Sequence, residues 1–397
     1  MSPAYRLTIL PGDGTGPEVI EEAKRVISVF NENGPITLET TEIPCGGKYY
    51  QDTGEEWPEG SFEHCRDNSD AILVGAVGWP GARLPNGDVA GGQALLGLRS
   101  GLDLYANVRP VKLYPGVKHK VNGVFKNVWD SESVDMVLIR ENTEGLYHSL
   151  LRRSSRAAQG GEKDNPMVIE EFPGLDGEVA WDIRPISRIG SERVVRFAFE
   201  LASRRKMQLN KDQKVTCVDK SNVTRGCRLF RKIFKEVASD FSDIQTDEAF
   251  IDAFTMWLAR NPEDIDVVVL PNMFGDIATD LAAVLQGGMG MAASANIGEN
   301  HMLFEPVHGS SPKYSGQNKV NPIAAISSTQ LLFEYLGLRN KDKSANLCAE
   351  ILENAICEHL ADGGPVTYDI GGSASTSDVG KGIADRCARM LSEASGI

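Results

Sequence analysis

The sequence predicts an α/β protein built on a largely parallel sheet with helices on both faces. Two observations carry that prediction. Short β-branched runs recur at 71–78 (AILVGAVG), 134–140 (VDMVLIR), 214–220 (KVTCVDK) and 265–271 (IDVVVLP). They alternate with amphipathic helical stretches, and those at 222–238 and 276–286 directly follow a strand. Runs that are apolar throughout are covered on both faces, and strand–helix alternation favours parallel pairing. The 397 residues, 41% of them hydrophobic, suffice for one large core or two smaller ones.

The first strand, YRLTIL (5–10), leads through PGDGTG into a helical pattern, EVIEEAKRVISVF (18–30). A glycine-rich turn between strand and helix is where a dinucleotide's phosphates often sit. The Rossmann fingerprint needs G-x-G-x-x-G. Gly12 and Gly14 fit, but the third position is Pro17 and Gly16 comes one residue early. No acidic residue is expected to end a second strand about twenty residues on, in NENGPITLETTEI. The fingerprint fails, and the turn is read as a tight bend lining a cleft.

Next come a helical pattern at 93–101 (QALLGLRSG) and a strand-like LYANVRP at 104–110. The rhythm then breaks at about 150–186, where turn residues and mixed charge suggest an extended arm or hairpin. Such an arm grips another subunit or forms a surface loop.

Composition excludes several classes. Lys plus Arg is 41 against 55 for Asp plus Glu, a net charge of −14, which disfavours nucleic acid as a partner. Positive charge for an anionic substrate must be assembled locally. No apolar run approaches the roughly 18 residues of a membrane span, and MSPAYRLTIL has no signal-peptide pattern. A cytoplasmic protein with no membrane partner is expected. The seven cysteines form no CxxC pair and the six histidines lack metal-ligand spacing, so free thiols are expected and zinc is not.

Four constellations carry chemistry. Arg99, Arg109 and Arg140 stand at element ends, and guanidinium forks suit carboxylates, although each also suits a surface ion pair. Asp276 and Asp280 are i and i+4, on one face of a helix at its expected first turn. They serve either as oxygen ligands for Mg²⁺ or Mn²⁺ or as acids favoured by the helix dipole. Asp252 is a candidate third carboxylate. Lys220 ends a strand and Tyr147 follows RENTEG; both types move protons when held in a cleft. Finally, FEPVHGSSPKYSGQNKVNP (304–322) suits wrapping of a polar ligand, with Lys313 and Tyr314 placed for a phosphate.

Together these stretches resemble the β-decarboxylating dehydrogenases, the isocitrate and 3-isopropylmalate dehydrogenase family. The resemblance runs from PGDGTGPEV through LYANVRP, RENTEG, VDKSNV, NMFGDIATDLAAVLQGGMGMAASANIG and EPVHGSSPKY to GGSASTSDVG. It implies a two-lobed fold with a shared central sheet and a non-Rossmann cofactor site. The large lobe would comprise 1–105 and 287–397, and the small dimerisation lobe 106–286, with the arm at 150–186.

The resemblance also implies residue roles. Arg99, Arg109 and Arg140, with Asn222, would hold a hydroxy di- or tricarboxylate. Lys220 would take the hydroxyl proton and Tyr147 would protonate carbon after decarboxylation. Asp276 and Asp280 would hold Mg²⁺ or Mn²⁺ with Asp252 of a second subunit, making the homodimer obligatory. Glu305, His308, Gly309, Ser310 and Asn321 would contact a nicotinamide cofactor. Lys313, Tyr314 and Tyr368 match contacts of NADP-dependent relatives, so NADP is favoured over NAD, although Gly372 stands where those relatives have arginine. Leu95 and Leu96 precede Arg99 and favour an alkyl substituent, as in 3-isopropylmalate. Gln93 and Gly92 replace the polar residues of relatives, which leaves isocitrate, homoisocitrate, D-malate and tartrate open. A non-catalytic regulatory subunit is the rival from another class, disfavoured because Tyr147, Lys220 and the three aspartates are intact.

Overall fold

The computed structural model describes residues 3–85, 87–148, 182–209 and 213–395. Most of the expected arm, 149–181, and the side chain of Gln93 lie outside the described residues.

Ten strands form one sheet among the described residues. From one edge to the other they are β2 (Thr37–Glu42), β1 (Ala4–Gly12), β3 (Ala71–Ala76), β12 (Met302–Pro306), β11 (Ala293–Ile297), β4 (Ala106–Lys112), β7 (Asp135–Glu141), β10 (Val267–Leu270), β8 (Lys214–Asp219) and β9 (Gln245–Phe250). A separate hairpin pairs β5 (His119–Val121) with β6 (Val124–Lys126). The sheet is parallel at both flanks, as expected, but β12–β11, β11–β4 and β4–β7 are antiparallel. The two chain ends build one half of the sheet and the middle of the chain builds the other. They meet where β11 pairs with β4.

The helices are α1 (Gly16–Asn33), α2 (Gly47–Thr53), α3 (Ser61–Asp67), α4 (Gly92–Gly101), α5 (Arg188–Leu209), α6 (Arg225–Ala238), α7 (Ile251–Arg260), α8 (Asn272–Leu285), α9 (Ile323–Asn340), α10 (Lys343–Ala361) and α11 (Thr376–Ser395). Alternation along the strands sorts them onto two faces. In β1, β3 and β12, Ile9, Leu73 and Phe304 join the main core with α1, α9 and α11, while Leu10, Val74 and Leu303 pack with Phe62 and Leu98 of α3 and α4. The same alternation sends Arg109 and Glu305 to the α4 face, where the site forms.

Two readings are corrected. β2 does end in an acidic residue, Glu42, but its carboxylate pairs with Lys24 at 2.9 Å at the surface. And α8 begins at Asn272, so Asp276 and Asp280 lie beyond its first turn. The helix-dipole explanation for that pair therefore fails, because the effect fades within a turn. The seven cysteines are all free thiols. No described helix is long and apolar enough to cross a membrane.

Candidate active site

The glycine-rich turn holds the frame of the site together. Asp13 is buried, and its carboxylate accepts from the amides of Gly47 (2.7 Å), Lys48 (2.9 Å) and Gly78 (2.7 Å). Gly14 has φ +60°, and a Cβ there would stand 2.1 Å from the Ser310 carbonyl. Only glycine lets this turn meet the 306–321 loop so closely. Thr15 N donates to that carbonyl at 2.8 Å, and Ser315 Oγ donates to Gly14 O at 3.0 Å. Glu18, in the first turn of α1, accepts from the Asn318 amide at 2.9 Å. These bonds turn the motif into a brace for the later loop.

Arg99 on α4, Arg109 on β4 and Arg140 on β7 converge. Each of Arg109 and Arg140 is nine-tenths buried or more, and the arginines' mutual repulsion adds to burial in lowering both their pKa values. Burial holds Arg140 at about 10, still a cation at neutral pH. Their carboxylate partners come from α8. Asp276 pairs with Arg140 Nη1 and lies 3.7 Å from Arg109 Nη2, and Asp280 lies 3.6 Å from Arg109 Nη1. Gly275 allows this approach, since a Cβ there would sit 2.7 Å from the Arg140 side chain. Tyr147 donates to Asp276 Oδ2 at 3.1 Å, and Arg140 lies 5.5 Å from its ring centroid. Burial, then Asp276, raises the Tyr147 phenol, keeping it protonated and able to donate.

A cavity of about 180 Å³ opens beside the arginines, lined by Leu95, Arg99, Arg109, Glu305, His308 and Gly309 among others. Arg99 Nη2 donates to Glu305 Oε1 at 2.5 Å, but Arg99 Nε and His308 Nε2 are buried without partners. Buried polar atoms call for partners, and a polar ligand in this cavity would supply them. Leu96 is not among the lining residues, and Asn222 lies exposed in the turn after β8.

Asp276 and Asp280 offer only oxygen donors one helical turn apart, the chemistry a hard divalent ion takes. Among the described residues, however, no group of three His, Cys, Asp or Glu side chains is arranged to hold a metal. Asp252, in the first turn of α7, instead pairs with Lys220 Nζ at 2.5 Å. The carboxylate pair fits as part of a metal site that needs another carboxylate.

The 306–321 loop collects the remaining candidates. Ser310 Oγ donates to Gly78 O at 2.5 Å. Asn321 is buried, with Nδ2 on Asp369 (3.1 Å) and Oδ1 accepting from the Ile323 amide (3.0 Å), so it anchors the start of α9. The Tyr314 and Tyr368 rings pack at a tilt of 48° with centroids 5.8 Å apart. Lys313 lies 4.7 Å from the Tyr314 ring, and Lys319 lies 4.9 Å from the Tyr368 ring. Burial raises Tyr368 to about 12, while hydrogen bonding to Tyr368 and then Lys313 lowers Tyr314. Neither lysine has an ion-pair partner among the described residues, so the cluster offers two free cations and two phenols to an anion such as phosphate.

Sequence reading missed several contributors. Asn272 accepts from Arg140 Nε and Nη2 (2.9 and 2.8 Å), and Thr279 accepts from Arg109 Nη1 at 2.5 Å. Their spacing from Asp276, one turn before and three residues after, was the available signal. Lys319, six residues past Lys313, gave no pattern. Asn107 was legible in LYANVRP as the residue sharing a strand face with Arg109.

A model of the isocitrate/isopropylmalate dehydrogenase family matches residues 6–383. The chain is 39% identical over 389 residues to a 3-isopropylmalate dehydrogenase of Thermobifida fusca, covering 97% of this chain and 98% of that protein. It is 37% identical over 385 residues to a 3-isopropylmalate/3-methylmalate dehydrogenase of Methanocaldococcus jannaschii, covering 96% and 98%. Among solved structures, an isocitrate dehydrogenase from Methylococcus capsulatus superposes with a TM-score of 0.76 at 31% identity, covering 97% of this chain and 99% of that one. A β-decarboxylating dehydrogenase from Thermococcus kodakarensis gives 0.73 at 35% identity, covering 98% and 97%.

Proposed function

The chain belongs to the isocitrate/isopropylmalate dehydrogenase family, and on that premise we propose that it oxidatively decarboxylates a 3-substituted (2R)-malate with NAD(P)⁺, 3-isopropylmalate leading. The observation that carries this reading is the cavity lined by Arg99 and Arg109, with Leu95 on its wall and Arg99 Nε unpartnered. The arginines neutralise the malate carboxylates. Leu95 accommodates an alkyl group, whereas a third carboxylate buried against it would lack a partner.

The residues divide the work. Arg99, Arg109 and Arg140 bind and orient the two carboxylates. Asp276 and Asp280, with Asp252 of a second subunit, would hold Mg²⁺ or Mn²⁺. When bound, the nicotinamide cofactor would supply a hydride acceptor and the divalent ion a Lewis acid for the hydroxyl-bearing end of the substrate. Lys220 takes the hydroxyl proton as the ketone forms. Carbon dioxide then leaves from the β-carboxylate, and Tyr147 gives its phenolic proton to the carbon left behind. His308, Gly309 and Ser310 would line the cofactor's path, and Glu305 would face its nicotinamide end. Lys313, Tyr314 and Tyr368 support NADP as the preferred form.

A homodimer is part of the reading. Met256 and Trp257 on α7 and Ile277, Leu281 and Val284 on the adjoining α8 are all exposed. Ile277, Leu281 and Val284 repeat at i, i+4 and i+7, an apolar stripe next to Asp276 and Asp280. Such a contiguous patch marks a protein interface, and it would bring a second chain's Lys220 and Asp252 to the aspartate pair. Residues 1–105 with 287–397, and 106–286, would move as two lobes about the β11–β4 junction, closing over substrate to exclude water.

The test is initial-rate reduction of NADP⁺ and NAD⁺ with Mn²⁺ across 3-isopropylmalate, isocitrate, homoisocitrate and D-malate. Preference for 3-isopropylmalate is expected. Faster isocitrate turnover would overturn the role given to Leu95, and no turnover of any of them would overturn the reaction.

A further inference from the structure

We propose that Asn296, fully buried, is a positioning residue for the substrate: it orients Arg109 through Asn107 and Arg99 through Glu305. The inference rests on the reaction proposed above. It is carried by one unbroken chain of hydrogen bonds across the centre of the sheet.

The chain starts at a donor of fixed character. Arg109 Nε donates to Asn107 Oδ1 at 2.7 Å. That forces Asn107 to present its Nδ2 on the other side, where it donates to Asn296 Oδ1 at 2.8 Å and to Ser294 Oγ at 2.7 Å. Asn296 must then present its own Nδ2 toward Glu305, and it donates to Oε1 at 2.8 Å. Arg99 Nη2 donates to the same carboxylate oxygen at 2.5 Å. A guanidinium at one end and a carboxylate at the other leave each amide a single orientation. Asn142 Nδ2 supplies a second donor to Asn296 Oδ1 at 3.0 Å, so the hub's oxygen is fully used.

Backbone register builds the chain. Asn296 is the direct partner of Asn107 across β11–β4, and Asn107 is the direct partner of Arg140 across β4–β7. Glu305 is the direct partner of Ser294, two residues before Asn296 on the same strand face. Asn107, Asn142 and Asn296 are buried. A buried amide is tolerated only when bonded, and a fully bonded network rigidifies what it touches. At its two ends it touches arginines that line the cavity. Asn296 makes no contact with the cavity itself, so its effect passes through Arg109 and Glu305.

The experiment compares wild type with Asn296→Ala and Asn296→Asp. Asn296→Asp keeps the shape and the acceptor for Asn107 but loses the donor to Glu305 and faces it with a second carboxylate. The wild-type rate on 3-substituted malates is measured first, and absence of turnover overturns the reaction and this proposal together. With wild-type turnover established, the expected result is a KM for the malate raised about tenfold with kcat within about threefold, the pattern of lost ground-state binding. A purely structural role would lower the melting temperature and leave KM unchanged. An unchanged KM in whichever variant folds overturns this proposal alone.

Discussion

Lys220 Nζ lies 2.5 Å from Asp252 Oδ1, and among the described residues Asp252 does not group with Asp276 and Asp280 into a set that could hold a metal. Lys220 holds the Asp252 carboxyl below the usual carboxylate range, whereas burial raises Asp280, with Arg109 opposing and Asp276 adding to the rise. Residues assigned to one reaction thus occupy two separate places on one chain. A second copy that docks on the α7–α8 surface would join them.

Lys220→Met should abolish turnover of 3-isopropylmalate, by about 10²-fold or more, the usual worth of a proton-transfer group. The dimer and its melting temperature should be retained. Calorimetry beside initial rates checks this, and undiminished turnover would remove Lys220 from proton transfer.

Disrupting the apolar stripe should cost activity through assembly. Ile277→Glu with Val284→Glu should give a species near 43.1 kDa by light scattering. It should be inactive although none of the catalytic groups is altered. A dimer of undiminished mass would place the interface elsewhere.

Lys313→Asp should shift cofactor preference toward NAD by about tenfold or more, since a charge-assisted contact to phosphate is replaced by repulsion. The ratio of kcat/KM for NADP⁺ and NAD⁺ reads this directly, and an unchanged ratio would acquit Lys313.

Acid should destabilise the fold in part through His359. The ring is buried; Nε2 lies 2.8 Å from Pro365 O and Nδ1 lies 3.3 Å from Arg386 Nη1, while Arg386 Nη2 lies 3.7 Å from Asp362 Oδ2. Burial lowers its pKa from the ordinary 6.5. A histidine lowered in the folded state contributes stability above about pH 6.5 that is lost as pH falls through the lowered value. The melting temperature should therefore drop below pH 6.5, and His359→Gln should flatten that drop. An equal slope in both proteins would exclude His359 as the source.

The sheet and most of the candidate site residues could be named because strands carry their own signal. VDMVLIR and IDVVVLP each hold a run of four consecutive apolar residues, and β7 and β10 sit between covered faces. The antiparallel centre was not legible, because pairing direction is decided by chain connections outside any one strand. The start of α8 was misplaced by four residues since PNMF carries no capping side chain. Arg99, Arg109 and Arg140 could be named but not joined: Glu305 and Asn296 link Arg99 to Arg109 through Asn107, and Asp276 links Arg109 to Arg140, all but Asn107 from elements far away in sequence. Tyr368 and Lys313 were readable from motif resemblance, whereas Lys319 shows itself only through its place over the Tyr368 ring.

The most direct test of the account is complementation between two inactive chains, Lys220→Met and Asp276→Asn, unfolded together, refolded and assayed with 3-isopropylmalate, NADP⁺ and Mn²⁺. If each reaction centre takes Lys220 from one subunit and Asp276 from the other, every mixed dimer regains one intact centre. Random pairing then restores about a quarter of wild-type activity. If both residues serve the same chain's centre, no mixed dimer contains an intact centre, and activity staying at the level of the separate variants would contradict the account.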